Sequence, residues 1–332
     1  MAKKTTIAFD IGESYIKIAR VNGGNVHVRE MQMPENLMSE GMVQMPHMLT
    51  DFLKQVKKEC HLSGAECGLV VPDEVTVCRN VTLPAMTVRQ LEGNLPFEFN
   101  DYISNDPTRY VYDYALQEMY YDEDGKPQEM LLTGAVMSKE MVRSYVEIFK
   151  NAGLKLRTLI PQEIAIANLM RAAVEAGRAD ADKEYCLVNL GHRATQVYIF
   201  KGAIQSVLRN IHTGNRSVDQ VIAEHEAVDE FVARTYKNRN YNQVLDKEYC
   251  QEVFGKLAVE IMKVINFYRF NNRETQLEDI YFFGGGSNLP QLCESIAETN
   301  DLHMKSIFEL LPEHVDREMN PNGVLALGVL MQ

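Results

Sequence analysis

The residues of this chain that could do chemistry sit at the ends of apolar triplets. Ile7-Ala-Phe-Asp10-Ile-Gly12 and Cys186-Leu-Val-Asn189-Leu-Gly191 share one pattern: an apolar triplet, Asp or Asn, an apolar residue, then glycine. Each continues into a second β-like segment, a turn containing glycine and a third β-like segment. A glycine at such a hairpin tip lets backbone N–H groups approach phosphate oxygens with no Cβ in the way. Asp10, at the end of its strand, can hold Mg2+ directly or through the ion's waters. Ser14 adds a hydroxyl donor, and Lys17 adds positive charge if its side chain points inward. A third segment, Ile280-Tyr-Phe-Phe-Gly284-Gly285-Gly286-Ser287-Asn288, runs a strand into three glycines, which brings bare backbone to a flat ligand face such as an adenine. Asn288 is placed to cap the helix that follows. Any one of these turns needs glycine for its own sake; together they read as a nucleotide held between two hairpins.

The elements that must position these loops are legible in outline. Strands are expected over Thr5–Ile11, Ser14–Val21 and Val26–Met31, then a helix over Pro46–Cys60 with Met48, Leu49, Phe52, Leu53 and Val56 on one face, then a short strand ending at Pro72. From about Leu83 the texture changes. Thr87–Leu95 reads as a helix, Tyr110–Met119 and Glu129–Val136 as strands joined by an acidic turn, and a helix capped by Ser138 ends at Gly153. A strand over Leu154–Ile160 follows, and Pro161 opens a helix to about Ala176. After the polar link Gly177–Asp182 the opening pattern recurs, with strands over Tyr185–Leu190, Ala194–Phe200 and Ile204–Asn210. Helices fill Ser217–Asn272, one of them carrying Phe254, Leu257, Ile261, Val264, Ile265 and Tyr268 at helical spacing, before the strand Asp279–Phe283.

Composition narrows the function. At 332 residues the chain exceeds the roughly 250–300 at which single cores divide, so two lobes are expected. Lys and Arg total 34 against 46 Asp and Glu; the net charge of −12 is repelled by polyphosphate backbones, so a nucleic-acid partner is not expected. The longest apolar stretches, such as Val324–Met331, fall short of the ~20 residues that cross a bilayer, and Met1-Ala-Lys-Lys4 lacks the apolar core of a signal peptide. Cys60, Cys67, Cys78, Cys186, Cys250 and Cys293 lack paired spacing, as reduced cytoplasmic thiols do. His225-Glu226 has no second His to make a metalloprotease helix, and Cys60-His61 with Cys67 has no second pair to complete a zinc site. The run Tyr110, Tyr112, Tyr114, Tyr120 and Tyr121 reads as strand packing and surface.

The order of the two hairpins and the glycine triplet, 179 and then 95 residues apart, resembles the actin-like ATPase superfamily. Within it the chain is similar to the branch of the cell-division protein FtsA and the type IV pilus assembly protein PilM, most of all to the latter. The likeness rests on Phe9-Asp-Ile-Gly-Glu-Ser-Tyr-Ile-Lys17, Leu95-Pro-Phe-Glu-Phe99, Asn151-Ala-Gly-Leu-Lys155, the segment Asp279–Pro290 and Asn320-Pro-Asn-Gly-Val-Leu-Ala-Leu-Gly328. It implies an α/β fold, the duplicated actin-like (ribonuclease H-like) ATPase fold, with two lobes around a nucleotide cleft and a small α+β insertion. The first lobe is then 1–83 with 154–178 and 311–332, the inserted, partner-binding subdomain 84–153, and the second lobe 179–310, with 215–272 as its helical subdomain. ATP and Mg2+ are the implied cofactors. Asp10, Gly12, Glu13, Ser14, Lys17, Asn189, Gly191, Gly214, Lys237, Gly284, Gly285, Gly286 and Asn288 are the implied nucleotide residues, and Gln162 or Glu163 the residue that orients the attacking water. The implied partners are the short cytoplasmic N-terminal tail of a PilN-type inner-membrane protein, with Phe97 and Tyr102 placed for contact, and beyond it the pilus assembly platform and its ATPases. The protein is then cytoplasmic and peripheral at the inner face of the cell membrane through its partners, and self-association is a further partnership that the resemblance leaves open.

The sequence also departs from that pattern. Asn189 stands where the second hairpin normally carries Asp, His192 and Arg193 where small hydroxyl residues are usual, and Glu13 where Ser is favoured. Arg234 replaces the Glu that usually precedes the position of Lys237. Loss of a metal-linked carboxylate bears on hydrolysis more than on shape, so a nucleotide clamp with slow turnover is expected. A pseudo-ATPase module with an empty cleft is the alternative. A sugar-kinase-like phosphotransferase is disfavoured by Asn189, and an FtsA-like tethered filament by the absence of an amphipathic tail before Gln332.

Overall fold

The computed structural model describes residues 6–62, 66–104 and 106–331; Met1 to Thr5, where the first strand was expected to begin, and Gln332 lie outside them. The chain forms two compact units, one running to Asn168 and resuming at Leu325, the other Leu169–Val324.

In the first unit β1 (Ile7–Ile11), β2 (Tyr15–Asn22) and β3 (Asn25–Gln32) form an antiparallel meander, followed by the two-residue strands β4 (Met38–Ser39) and β5 (Met42–Val43). Next come α1 (Pro46–Glu59), β6 (Glu66–Val71), β7 (Thr76–Pro84), α2 (Val88–Asn94), β8 (Tyr110–Tyr121), β9 (Pro127–Ser138), α3 (Lys139–Asn151), β10 (Lys155–Pro161) and α4 (Gln162–Glu175). The main sheet has the order β10-β6-β1-β2-β3, with β6 and β10 parallel to β1. All five residues of β1 are buried, as suits a central strand covered on both faces. α1 lays Leu49, Phe52, Leu53 and Val56 on this sheet, whereas Met48, expected on the same face, is exposed, one helical step ahead of that i, i+3, i+4, i+7 stripe. α3 is capped by Ser138, whose hydroxyl accepts from Met141 N–H, and delivers Tyr145, Ile148 and Phe149 to the same core.

The segment expected as an insertion, 84–153, is divided between two cores. β8 and β9 join β7 in a second sheet, order β7-β9-β8, over Val81, Leu91, Leu95, Phe99, Met130, Leu132 and Val136, whereas α3 packs against β1. β7 was not expected: its alternation breaks at Arg79-Asn80, and only pairing with β9 makes it a strand. Pro161 closes β10 instead of opening a helix.

The second unit repeats the arrangement. β11 (Glu184–Leu190), β12 (Thr195–Lys201) and β13 (Ile204–Ile211) form the meander. α5 (Asn215–Glu226), α6 (Glu230–Arg239) and α7 (Glu248–Asn271) follow, then β14 (Asp279–Phe283), α8 (Pro290–Asn300) and β15 (His303–Ser306). The sheet order β13-β12-β11-β14-β15, with β14 and β15 parallel to β11, reproduces the first sheet strand for strand. α7 buries Phe254, Leu257, Ile261, Ile265 and Tyr268 on it. β15 was not expected either, since four polar-edged residues carry no periodic signal. The chain then returns through α9 (Val324–Leu330), where Gly328 lets α9 approach α4: Asn168 Nδ2 donates to Gly328 O at 3.2 Å, and a Cβ there would lie 2.0 Å from Ala165 O.

Among the described residues no helix is long and apolar enough to cross a membrane, and all six cysteines are free thiols. The first core hinges on Phe149, which meets Phe9 edge-on with ring centroids 5.4 Å apart. Phe149→Ala is expected to lower the unfolding free energy by about 3–5 kcal/mol in urea denaturation; a loss below about 1 kcal/mol would contradict this packing.

Candidate functional site

The predicted residues fall into two groups, one in each unit. In the first, the antiparallel register of β1 and β2 sets Asp10 directly opposite Lys17, and the two form an ion pair, Oδ2 to Nζ 3.1 Å, with both side chains about nine-tenths buried. Gly12 closes the turn, its N–H donating to Tyr15 O at 3.0 Å. The Lys17 ammonium lies against that turn, since a Cβ on Gly12 would be 3.1 Å from it. Lys17 thus points toward the tip. Ser14 lies in the same turn, its carbonyl accepting from Met33 N–H. Glu13 turns aside: its Oε1 accepts from the N–H of Glu40 at 2.8 Å, between β4 and β5.

Also in the first unit, Gln162 and Glu163 begin α4 directly after β10. Glu163 is buried, and its Oε2, like Gln162 Oε1, has no hydrogen-bond partner among the described residues. Burial, reinforced by the carboxylate of Asp73, pushes the Glu163 carboxyl up to about 7. The Cys78 thiol beside it is pushed well up by its own burial and by these carboxylates.

In the second unit the register of β11 and β12 sets Asn189 opposite Gln196, and Asn189 Nδ2 donates to Gln196 Oε1 at 2.8 Å. This amide pair occupies the place in its hairpin that the Asp10–Lys17 ion pair holds in the first. Gly191 closes the turn as Gly12 does, N–H to Ala194 O at 3.1 Å. Gly214 precedes α5 and packs on the tip, where a Cβ would lie 2.7 Å from Arg193 C and from His192 O. The first N–H groups of α5 therefore reach the tip: Asn215 donates to Gly191 O at 2.9 Å and Arg216 to His192 O at 2.8 Å.

Lys237 is buried on α6, its ammonium 2.7 Å from the fully buried Asp219 and 3.3 Å from Asn215 O, with Arg234 adding a weaker contact to Asp219 at 3.5 Å. Burial pushes the Asp219 carboxyl up and the Lys237 ammonium down, and their mutual attraction opposes both. His192 is held far below the usual imidazole range, at about 3, first by burial and then by the charges of Arg234, Lys237, Arg216 and Arg193.

Gly284 has φ 81° and stands so close to β11 that a Cβ would lie 2.2 Å from Asn189 Oδ1. A Cβ on Gly286 would meet the Asn215 side chain at 2.7 Å, and Asn215 Oδ1 is a buried acceptor with no hydrogen-bond partner among the described residues. Gly285 to Asn288 form a single 3-10 turn. Asn288 does not cap α8; its amide donates to Gly285 O and to Asn320 Oδ1, because the turn leaves Leu289 at the capping position. Gln196, Asn215, Asp219 and Asn320 were not anticipated. Gln196 carried a signal, lying seven residues after Asn189 as Lys17 lies seven after Asp10.

The residues present do not fit a protein-held Mg2+. Asp10, the expected ligand, is paired with Lys17, and position 189 holds a neutral amide bonded to Gln196. Among the described residues no three His, Cys, Asp or Glu side chains cluster as a metal site.

Duplicated five-stranded sheets, each with a glycine-tipped hairpin, and the glycine turn after β14 define an actin-like ATPase fold. Solved structures share it. That of a PilM-PilN type IV pilus biogenesis complex aligns over 98% of this chain and 97% of its own at 22% identity, with a TM-score of 0.83. The ethanolamine utilization protein EutJ from Carboxydothermus hydrogenoformans aligns over 100% and 90% at 15% identity, TM-score 0.59. MreB5 of Spiroplasma citri bound to ADP aligns over 98% and 95% at 11% identity, TM-score 0.53. The family model for type IV pilus assembly protein PilM matches residues 8–316, and the chain belongs to that family. No curated protein matches the sequence.

The raised carboxyl of Glu163 sets a pH dependence. Below about 4.5 folded and unfolded chains both hold the proton; as pH rises to about 7 only the unfolded chain releases it, so stability falls across that window. The full penalty is on the order of 3 kcal/mol above pH 7. Glu163→Gln is expected to gain on the wild type by about that amount between pH 4.5 and 8 in thermal denaturation; parallel pH profiles would contradict it.

Proposed function

We propose that this chain is a nucleotide-binding, actin-like scaffold of type IV pilus assembly that holds the cytoplasmic tail of a PilN-type inner-membrane protein. Family membership over residues 8–316 carries this reading, supported by the likeness over nearly the whole chain to a solved PilM-PilN complex. The small sheet and its helices present the surface for the tail, as the partner-binding part of the segment 84–153. Val88, Phe97 and Tyr102 are more than half exposed there, and Arg79 lies 5.3 Å over the Tyr102 ring. Exposed aromatic side chains, one of them under a guanidinium, suit a short peptide with apolar anchors. Through that tail the protein sits at the inner face of the membrane, near the assembly platform and its ATPases.

Nucleotide binding is supported by the glycine turn after β14, by the acceptor Asn215 Oδ1 beside it, which has no hydrogen-bond partner among the described residues, and by the ADP bound to MreB5, which shares the fold. ATP is the nucleotide proposed, with a structural role. Hydrolysis is slow or absent, because among the described residues Asp10 is held by Lys17 and position 189 is a neutral amide bonded to Gln196, so neither strand end offers an uncommitted carboxylate to a metal.

Fluorescence anisotropy with a labelled PilN-type N-terminal peptide tests the partner. Phe97→Ala with Tyr102→Ala is expected to weaken binding at least about tenfold; unchanged affinity would rule out this surface. Phosphate release should stay far below the ~1–100 per second of phosphoryl-transfer enzymes such as kinases, and turnover of several per second would refute the structural role.

A further inference from the structure

The small sheet of the first unit ends in an open edge. β8 is its outer strand, in the order β7-β9-β8, and among the described residues it pairs with β9 alone. Its 12 residues are about twice the usual strand length. Edge strands are ordinarily blunted by Lys or Pro, by brevity, by bulges or by a covering element. Tyr110–Tyr121 holds no Lys, Arg or Pro, and its ladder shifts register between Leu116 and Glu118 and between Tyr120 and Tyr121. Ser104 and Pro107 meet the hydroxyls of Tyr110 and Tyr112, which leaves Asp113–Tyr121 as the open length. Leu116, Tyr120 and Tyr121 are exposed along it.

The protection this edge carries is negative charge. From Asp113 to Glu129 the hairpin has six carboxylates, Asp113, Glu118, Asp122, Glu123, Asp124 and Glu129, against one cation, Lys126. Lys126 lies 3.9 Å from Asp124, and Asp122 accepts from the N–H groups of Asp124 and Lys126 and from the Gln128 amide, so it also holds the turn. Arg109 and Lys139 flank the other end of β8, where Tyr110 pairs with Ser138. An acidic edge repels a second copy of this chain, whose net charge is −12, and attracts a cationic strand.

We infer that the β8 edge from Asp113 to Tyr121 takes up an extended, Lys- or Arg-rich segment of a partner protein as a fourth strand of the small sheet. Main-chain hydrogen bonds to the open edge hold the segment, and its side chains, alternating in direction, set apolar residues against Leu116 and Tyr120 and cations against the carboxylates. This surface is distinct from the one proposed above for the tail. Tyr102 lies under Arg79 of β7, and Arg79 donates to the carbonyl of Glu98 next to Phe97, so that surface adjoins the opposite edge of the sheet. The inference depends on neither the tail nor the nucleotide reading.

Fluorescence anisotropy and amide hydrogen exchange of the full chain test this with a labelled peptide of alternating Lys and Val and its Glu and Val counterpart. The cationic peptide is expected to bind, more weakly as salt rises, and to slow exchange between Asp113 and Tyr121; the acidic peptide is expected not to bind. Equal binding of the two peptides, binding of neither, or protection confined to other segments would overturn the inference. Asp113→Lys with Glu118→Lys is expected to weaken binding at least about tenfold, and Asp113→Asn with Glu118→Gln, which keeps the shapes, at least about threefold. Unchanged affinity in a folded charge variant would overturn it. Phe97→Ala with Tyr102→Ala is expected to leave affinity for the cationic peptide within about twofold; a tenfold loss there would place the peptide on the surface proposed for the tail and overturn the assignment to β8.

Discussion

One buried polar pair across the first two strands governs each half of this molecule. Asp10 and Lys17 make it in the first unit, Asn189 and Gln196 in the second, at the same seven-residue separation. The central strands β1 and β11 are covered on both faces, so a polar side chain at their ends must find a partner or carry the cost of an unmet hydrogen bond or charge. An ion pair and an amide pair are two solutions of similar shape. The change from Asp to Asn at the second hairpin is therefore a matched exchange with its cross-strand neighbour, in which both charges vanish together.

From that pair the geometry of the second unit follows. β11 pairs in parallel with β14, which lays the glycine turn against Asn189, so tightly that only glycine fits at 284. The tip at Gly191 and His192 is held by the first amides of α5, and α5 is tied to α6 by the buried contact of Asp219 with Lys237. Both members of that contact are pushed toward their neutral forms by burial. Removing one would strand the other, a cost of roughly 3–5 kcal/mol for a buried pair. Lys237, read from the sequence as a nucleotide contact, is thus first a structural tie between two helices, reaching both Asp219 and the first carbonyl of α5 at Asn215.

The duplicated plan was legible in the sequence because both meanders are strongly patterned, apolar and punctuated by glycine, and because Pro46, Ser138 and the α7 stripe mark helices unambiguously. What escaped was set by pairing and not by pattern. β7 and β15 exist because β9 and β14 offer them an edge. The loops of the candidate site were found through their glycines, but the side chains that fill them, Gln196, Asn215 and Asp219, lie off the motifs. Asn288 shows the limit of a local rule, since a capping residue one position out of phase with the helix bonds elsewhere.

Coupling across the first hairpin is the most direct measure of whether these paired side chains are built for each other or for a ligand. A double-mutant cycle in urea compares Asp10→Asn, Lys17→Gln and the double variant, which installs the amide pair of the second unit. Each single change should destabilise by about 2–4 kcal/mol and the double by less than their sum, with a coupling of at least about 2 kcal/mol. Additive losses, with coupling below about 0.5 kcal/mol, would show that Asp10 does not depend on Lys17 and would contradict the account.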